Sequence, residues 1–198
     1  MKISGFYAVL DRDDEALAVM LAAHACVLQV RLKAAPAAEL ARVARMARRV
    51  CDRAGIALVV NDRIDVALAV RADGVHLGQQ DVPLAEARSI AGGLAIGIST
   101  HDLAQVRAAC AGVADYIGFG PVFATRTKAN PDPVQGLDGL AAAVRAATVP
   151  VVAIGGIALD AAAAVYATGV HALCAISAVN DAPDVGRAAQ RLRGPARL

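Results

Sequence analysis

Tyr116-Ile117-Gly118-Phe119-Gly120-Pro121-Val122-Phe123-Ala124-Thr125-Arg126-Thr127-Lys128 changes character twice along its length. It opens as an apolar run without polar/apolar alternation, the pattern of a strand covered on both faces. Gly118, Gly120 and Pro121 break that run, and Thr125 to Lys128 then bring two hydroxyls and two cations in a row. Glycine lets a backbone approach a ligand closely, while Thr, Arg and Lys supply donors to anionic oxygens. Taken alone, the same residues also fit an ordinary basic surface loop.

Working outward, seven further apolar runs share the strand character: Phe6–Leu10, Val27–Val30, Ala57–Val60, Gly74–Leu77, Leu94–Ile98, Val149–Ile154 and Ala172–Ile176. Helix-compatible segments separate them. The clearest is Pro36–Ala54, with Pro36 for the first turn, Glu39 early, Arg48 and Arg49 late, and Gly55 as the stop. Pro83–Ala91, Asp102–Cys110, Leu137–Ala146, Leu159–Thr168 and Asp184–Leu192 follow the same logic, and Asp102 reads as a helix cap. No linker, low-complexity tract or internal repeat divides the chain. Eight β–α alternations in 198 residues predict an α/β fold, a (β/α)8 TIM barrel in one compact domain over residues 1–198, with 193–198 as a frayed tail. An open doubly wound sheet is the alternative, but no G-x-G-x-x-G follows the first strand.

Composition narrows the class of partner. Hydrophobic residues make up 57% and aromatics 3%, which suits closely packed Ala-rich helices. Twenty basic and 18 acidic residues leave a net charge of +2, so no global field draws nucleic acid, and anion binding must come from a local cluster. Cys26, Cys51, Cys110 and Cys174 are scattered with no C-x-x-C pair, as expected of reduced thiols in a cytoplasmic protein. Neither a signal peptide nor a membrane-spanning run is visible.

In a barrel the loops after the strands share one face, so polar residues at strand ends are candidates for a site. Gln29, Arg31 and Lys33 alternate along the end of the second strand and would point to one side, with Lys33 and Arg31 just past the strand end in solvent as the plain alternative. The third strand ends in Asn61-Asp62, and the fourth leads through His76-Leu-Gly-Gln-Gln to Asp81. Two carboxylates at neighbouring strand ends suit an oxygen-ligated Mg2+, although each alone would also serve as a helix cap. Ser99 ends the fifth strand. His76 and His101 are set aside as structural, because neither has an orienting partner in sequence. Gly155-Gly156 and Ser177 follow the last two strands, where barrels often build a phosphate site, and tight turns are the plain alternative. The chain has no G-x-S-x-G, H-E-x-x-H or Walker loop.

The blocks Leu28–Lys33, Val60–Asp62, Asp73–Asp81, Gly97–His101, Tyr116–Lys128, Val151–Ile157 and Ile176-Ser177, in that order, make the chain resemble the thiamine-phosphate synthase family over nearly its whole length. The resemblance implies a transferase that joins hydroxymethylpyrimidine pyrophosphate to a thiazole phosphate, carboxylated or plain, in thiamine biosynthesis. It implies that Gln29, Val30, Arg31, Leu32, Lys33, Asn61, Ser99 and Lys128 hold the pyrimidine pyrophosphate, with Arg31, Lys33, Lys128 and Ser99 acting catalytically. Asp62 and Asp81 would bind Mg2+. Thr125, Arg126, Thr127, Gly156, Ile176 and Ser177 would take the thiazole phosphate, and the loop from Thr125 to Gln135 would close as a lid. Leu32 departs from the family's acidic residue there, with its side chain expected to face away from the site. The extra N-terminal helix common in the family is missing, and the first helix region, Asp13–His24, is short. These departures bear on closure of the barrel bottom and on contacts of a homo-oligomer rather than on the chemistry. The partners expected are small-molecule substrates, with neither nucleic acid nor membrane. A thiazole tautomerase-type relative on the same barrel and a non-catalytic thiazole-phosphate-binding subunit are the alternatives.

Overall fold

The computed structural model describes residues 1–125 and 132–194. Eight parallel strands close into a barrel in sequence order: β1 (Gly5–Leu10), β2 (Val27–Val30), β3 (Ala57–Asn61), β4 (Gly74–Leu77), β5 (Ala95–Thr100), β6 (Tyr116–Phe119), β7 (Val151–Ile154) and β8 (Ala172–Cys174). Helices α1 (Glu15–Ala22), α2 (Ala37–Ala54), α3 (Ile64–Ala69), α4 (Leu84–Ile90), α5 (Leu103–Ala111), α6 (Gly136–Ala146) and α7 (Ala162–Ala167) fill the crossovers. A short α8 (Ser177–Asn180) precedes the last helix, α9 (Val185–Arg191). The expected (β/α)8 barrel is what forms. Closure at the seam is explicit, with Gly5 and Phe6 in register with Ala172 and Leu173.

Local chemistry explains the element ends. Asp14, Asp102 and Asp184 cap α1, α5 and α9, each carboxylate accepting the backbone N–H three residues on. Gly55 ends α2 in the left-handed region at φ 68°, where a side chain would be strained. Three strand boundaries differ from expectation by two residues. β5 runs on to Thr100 because Ser99 and Thr100 still pair with Gly118 and Phe119. β7 starts only at Val151, after Pro150, which has no N–H to give a ladder. β8 stops at Cys174, and Ile176 already serves as the cap of α8.

Two buried layers follow from the strand alternation. One lies between barrel and helices and includes Phe6, Leu10, Leu28, Val60, Leu77 and Ile96. The other fills the barrel interior with Tyr7, Val9, Val27, Val59, Tyr116, Val152 and Cys174. The bottom of the barrel is fastened by charge. Asp73, just before β4, accepts the Leu58 N–H of β3 at 2.7 Å and pairs with Arg48 of α2 at 2.6 Å. Asp115, just before β6, accepts the Ile96 N–H of β5 at 2.7 Å and pairs with Arg88 of α4 at 2.5 Å. Arg193 and Gly194 pack against Gly5 and Tyr166, while 195–198, the rest of the expected tail, lie outside the described residues.

Candidate active site

At the opposite, C-terminal ends of the strands the polar residues gather. Gln29, the penultimate residue of β2, is buried and donates from Nε2 to the Tyr7 hydroxyl at 3.0 Å. β2 ends at Val30, so Arg31 and Lys33 lie past the strand rather than on it. The Arg31 N–H extends the ladder by one bond, to the Leu10 carbonyl at 2.9 Å, and the chain then turns at Ala34 with φ 59°. The Arg31 charge acts on Asp62, His76 and Cys174, which places it over the barrel mouth. Lys33 is on the exposed loop beyond. Val30 packs in the helix-facing layer and Leu32 lies against it, so neither side chain faces the mouth. That is the side expected for Leu32; for Val30 only backbone is left to meet a ligand.

Asp62 and Asp81 come together across the ends of β3 and β4. The Asp62 N–H donates to the His76 carbonyl at 2.8 Å, with Asp62 itself in the left-handed region at φ 61°. Asp81 folds back so that its Oδ2 accepts the Gly78 N–H at 2.6 Å. Neither carboxylate caps a helix: α3 is led by Arg63 and α4 by Pro83, neither with a side-chain cap. The alternative reading of these residues as caps therefore fails. Burial first, and next the Asp81 charge, push the Asp62 carboxyl up to about 6, partly offset by Arg31 and Asn61. Asp62 is open to solvent at the rim, so its pairing with a second carboxylate is the more telling contribution. Among the described residues no cluster of three or more His, Cys, Asp or Glu side chains forms a metal cage. Two carboxylates beside Asn61 suit Mg2+, which takes few protein ligands and completes its shell with water and substrate phosphate.

Beneath the carboxylates, Asn61, His76, Gly97 and Tyr116 stand in register on β3 to β6. The Tyr116 ring occupies the space over Gly97, where an added Cβ would lie 2.1 Å from its Cζ. Its hydroxyl meets Tyr7 Oη at 2.8 Å and His76 Nδ1 at 3.0 Å, and His76 Nε2 meets Ser99 Oγ at 3.0 Å. Burial, helped by the Arg31 charge, lowers the His76 imidazole to about 4, so it is neutral near pH 7. Burial likewise raises both phenols, which keep their protons. The sequence reading set His76 aside for want of a partner; the structure supplies two. It also passed over Tyr7 and Tyr116. The available signal was parity: each lies two residues from another inward-facing position, Tyr7 from Val9 and Tyr116 from Gly118.

Ser99 is half-buried at the mouth, and Asn61 stands beside the carboxylates. The loop after β6 is rooted on β7: the Val122 and Phe123 N–H groups donate to the Ile154 and Gly155 carbonyls at 3.0 and 2.9 Å. Gly156 lies under that loop, and a Cβ there would come 2.3 Å from the Ala124 carbonyl oxygen. Thr125 is half-buried, while Arg126, Thr127 and Lys128 lie outside the described residues, as does most of the expected lid. On its far side the loop is pinned by Gln135, whose N–H donates to the Pro121 carbonyl at 2.9 Å, and by Asp132 facing His101 at 3.4 Å. Ile176 and Ser177 stand at the start of α8.

The comparisons with known proteins agree with this geometry. A family model described as "Thiamine monophosphate synthase" matches residues 6–179. The thiamine-phosphate synthase of Chloroflexus aurantiacus is 46% identical over 169 residues, 85% of this chain and 78% of that protein. That of Methanocella arvoryzae is 47% identical over 174 residues, 87% of this chain and 82% of its own. The solved structure of a thiamine phosphate pyrophosphorylase from Pyrococcus furiosus superposes with a TM-score of 0.88 at 39% identity, covering 96% of this chain and 93% of that one. A carboxylate pair and a donor-lined mouth on this barrel, together with matches of that depth and coverage, place the chain in the thiamine-phosphate synthase family.

Proposed function

We propose that this chain transfers the pyrimidinylmethyl group of hydroxymethylpyrimidine pyrophosphate to the nitrogen of a thiazole phosphate, releasing pyrophosphate and forming thiamine phosphate. The observation that carries this reading is the Asp62/Asp81 pair facing the Arg31 charge at the barrel mouth. Two carboxylates held together without serving as caps call for a bound cation, and a cation there calls for an anionic ligand beside it.

In this reading Asp62 and Asp81 hold Mg2+, which when bound neutralises charge on the pyrophosphate. Arg31, Lys33 and Lys128 supply further cationic donors to that leaving group, and Asn61 and Ser99 supply neutral ones. The bond from the pyrimidine methylene to pyrophosphate oxygen breaks with its electron pair leaving on oxygen. The electron-rich ring stabilises the resulting cation, and the thiazole nitrogen captures it. Such a step needs stabilised charge on the departing group and a dry pocket rather than a strong base. Neutral His76 is consistent with that absence of base chemistry.

The thiazole phosphate would lie between Thr125, Arg126 and Thr127 on one side and Gly156, Ile176 and Ser177 on the other. Loops after strands seven and eight with a short extra helix are a recurrent phosphate site in this fold, and α8 is such a helix. Free thiols at Cys26, Cys51, Cys110 and Cys174 fit a cytoplasmic enzyme. Among the described residues no helix is long and apolar enough to cross a membrane.

Purified protein given both substrates and Mg2+ is expected to make thiamine phosphate and pyrophosphate in equal amounts, and to make neither after chelation. Binding of the thiazole phosphate without product under those conditions would refute the synthase reading and favour a binding subunit. Isomerisation of the thiazole alone would favour the tautomerase.

A further inference from the structure

Five side chains from five strands form one unbroken series of hydrogen bonds through the barrel interior: Gln29, Tyr7, Tyr116, His76 and Ser99. Four sit on β2, β1, β6 and β4, and the series reaches solvent over its last two members, His76 and Ser99 of β5, both half-buried. The interior links are sealed, with Gln29 4%, Tyr7 2% and Tyr116 0% exposed, so water does not complete or rearrange them.

The proton count gives the series a direction. The Gln29 amide nitrogen only donates, so Tyr7 Oη must accept from it. Tyr7 has a single hydroxyl proton, and its remaining neighbour is Tyr116 Oη at 2.8 Å, so that proton points to Tyr116. Tyr116 then has its own proton left for His76 Nδ1 at 3.0 Å. An Nδ1 that accepts carries no proton, so the ring proton is on Nε2, which donates to Ser99 Oγ at 3.0 Å. Ser99 Oγ is thereby filled from below as an acceptor, and its own proton is turned toward the mouth. With the Gln29 amide nitrogen toward Tyr7, the opposite histidine tautomer would leave the Tyr116 hydroxyl proton without an acceptor beside the sealed Tyr7.

We propose that Gln29, Tyr7, Tyr116 and His76 are positioning residues that act in series, fixing the Nε2–H tautomer of His76 and presenting the Ser99 hydroxyl as a donor to the anionic ligand. The tautomer follows from the hydrogen-bond geometry alone; the ligand's identity rests on the proposed function. No proton is transferred. The chain sets in advance the orientation that a leaving-group oxygen would otherwise have to impose, which is how a preorganised donor stabilises developing charge without reorganising. The glycines opposite the chain agree with such a use. Gly97 leaves room for the Tyr116 ring, and a Cβ on Gly118 would press within 3.3 Å of His76 Cε1.

The first test needs no substrate. Protein labelled with 15N-histidine is examined by long-range 1H–15N correlation, with the His76 ring assigned by its disappearance in His76→Gln. A protonated Nε2 with a bare Nδ1 is expected; an Nδ1–H tautomer, or averaging between the two, overturns the proposal. The second test is a double-mutant cycle on kcat for pyrophosphate release. Tyr7→Phe keeps the ring but cuts the series two links before the histidine, and it should lower kcat by about tenfold, the size of one misdirected charge-assisted hydrogen bond. In the Ser99→Ala background the same change should have no further effect, and independent, multiplicative losses overturn the proposal. If the wild-type protein turns over no substrate, the synthase reading fails while the tautomer still decides this one. If Tyr7→Phe does not fold, the wild-type spectrum decides likewise.

Discussion

Replacing Asp81 by Asn removes one charge from the rim while leaving an oxygen to accept the Gly78 N–H, now bonded at 2.6 Å. The effect on the metal-free protein has a definite sign. Asp62 is displaced upward from 3.8 to about 6, first by burial and next by the Asp81 charge. A raised carboxylate binds its proton more tightly in the folded state, so it costs stability above the folded value, and that cost fades on acidification between about 6 and 3.8. For a group sealed from water the displacement would correspond to about 3 kcal/mol. Asp62 is exposed at the rim, and solvent screening reduces this to about 1 kcal/mol. Asp81 is the second of the causes, so Asp81→Asn should return about 0.5 kcal/mol, or about 1–2 °C in Tm for a chain of this size.

Thermal unfolding with a chelator, followed across pH, checks this. The variant should melt higher than wild type at about pH 7.5, and the advantage should fade as the pH falls through about 6 and vanish below about 3.8, where Asp62 is protonated in both states. With Mg2+ added the order should reverse, because the cation stabilises only the form that binds it. Turnover should fall by about 10²-fold or more through loss of charge stabilisation. A variant that melts lower than wild type in chelator, or one whose advantage is independent of pH, would refute the reasoning that these carboxylates are held together at a cost for the sake of a ligand.

Three further outcomes follow from single contacts. Gly97→Ala puts a Cβ 2.1 Å from the buried Tyr116 ring; it should destabilise the protein by about 1–3 kcal/mol in denaturant titration, because neither strand nor ring has room to yield. Gly156→Ala places a Cβ 2.3 Å from the Ala124 carbonyl oxygen at a φ of 65°; steady-state kinetics should show KM for the thiazole phosphate rising while the barrel keeps its fold by circular dichroism. Asp115→Ala strips the Ile96 N–H of its partner and leaves Arg88 with the Leu94 and Val113 carbonyls but no carboxylate; about 1–3 kcal/mol of stability should be lost with kcat intact, since the clamp lies at the opposite end of the barrel.

The barrel was legible in the chain because buried parallel strands write themselves as unbroken apolar runs, and all eight runs became strands. Boundaries were read less well where pairing or a cap decided them, as at Thr100, which Phe119 holds in the sheet, and at Ile176, which caps a helix too short to show a period. The carboxylates were legible as types and positions, but their release from capping was not, since that depends on how Asp62 turns and Asp81 folds back. His76 was misjudged for a plain physical reason: its partners Tyr116 and Ser99 are 40 and 23 residues away, and local sequence says nothing about them. Placing Arg31 and Lys33 on the strand went one step too far. Alternation predicts a common side but not where Ala34 ends the extended path.

The acidic residues separate structure from function better than their spacing does. Asp73 and Asp115, at the bottom, each meet an arginine and a backbone N–H of the preceding strand, so their charge is spent on the fold. Asp14, Asp102 and Asp184 each satisfy a helix end. Asp62 and Asp81 alone among these seven face each other, and folding to a stable barrel gives no reason for that arrangement. Like charges held within one rim are a cost near pH 7 that a bound cation would remove. The uncharged series below ends at Ser99, beside the same rim, where the proposed donor would meet the anion that a bound cation brings. The proposed cation site and the proposed oriented hydroxyl beside it would together favour a leaving group that departs as an anion, the chemistry of a thiamine-phosphate synthase.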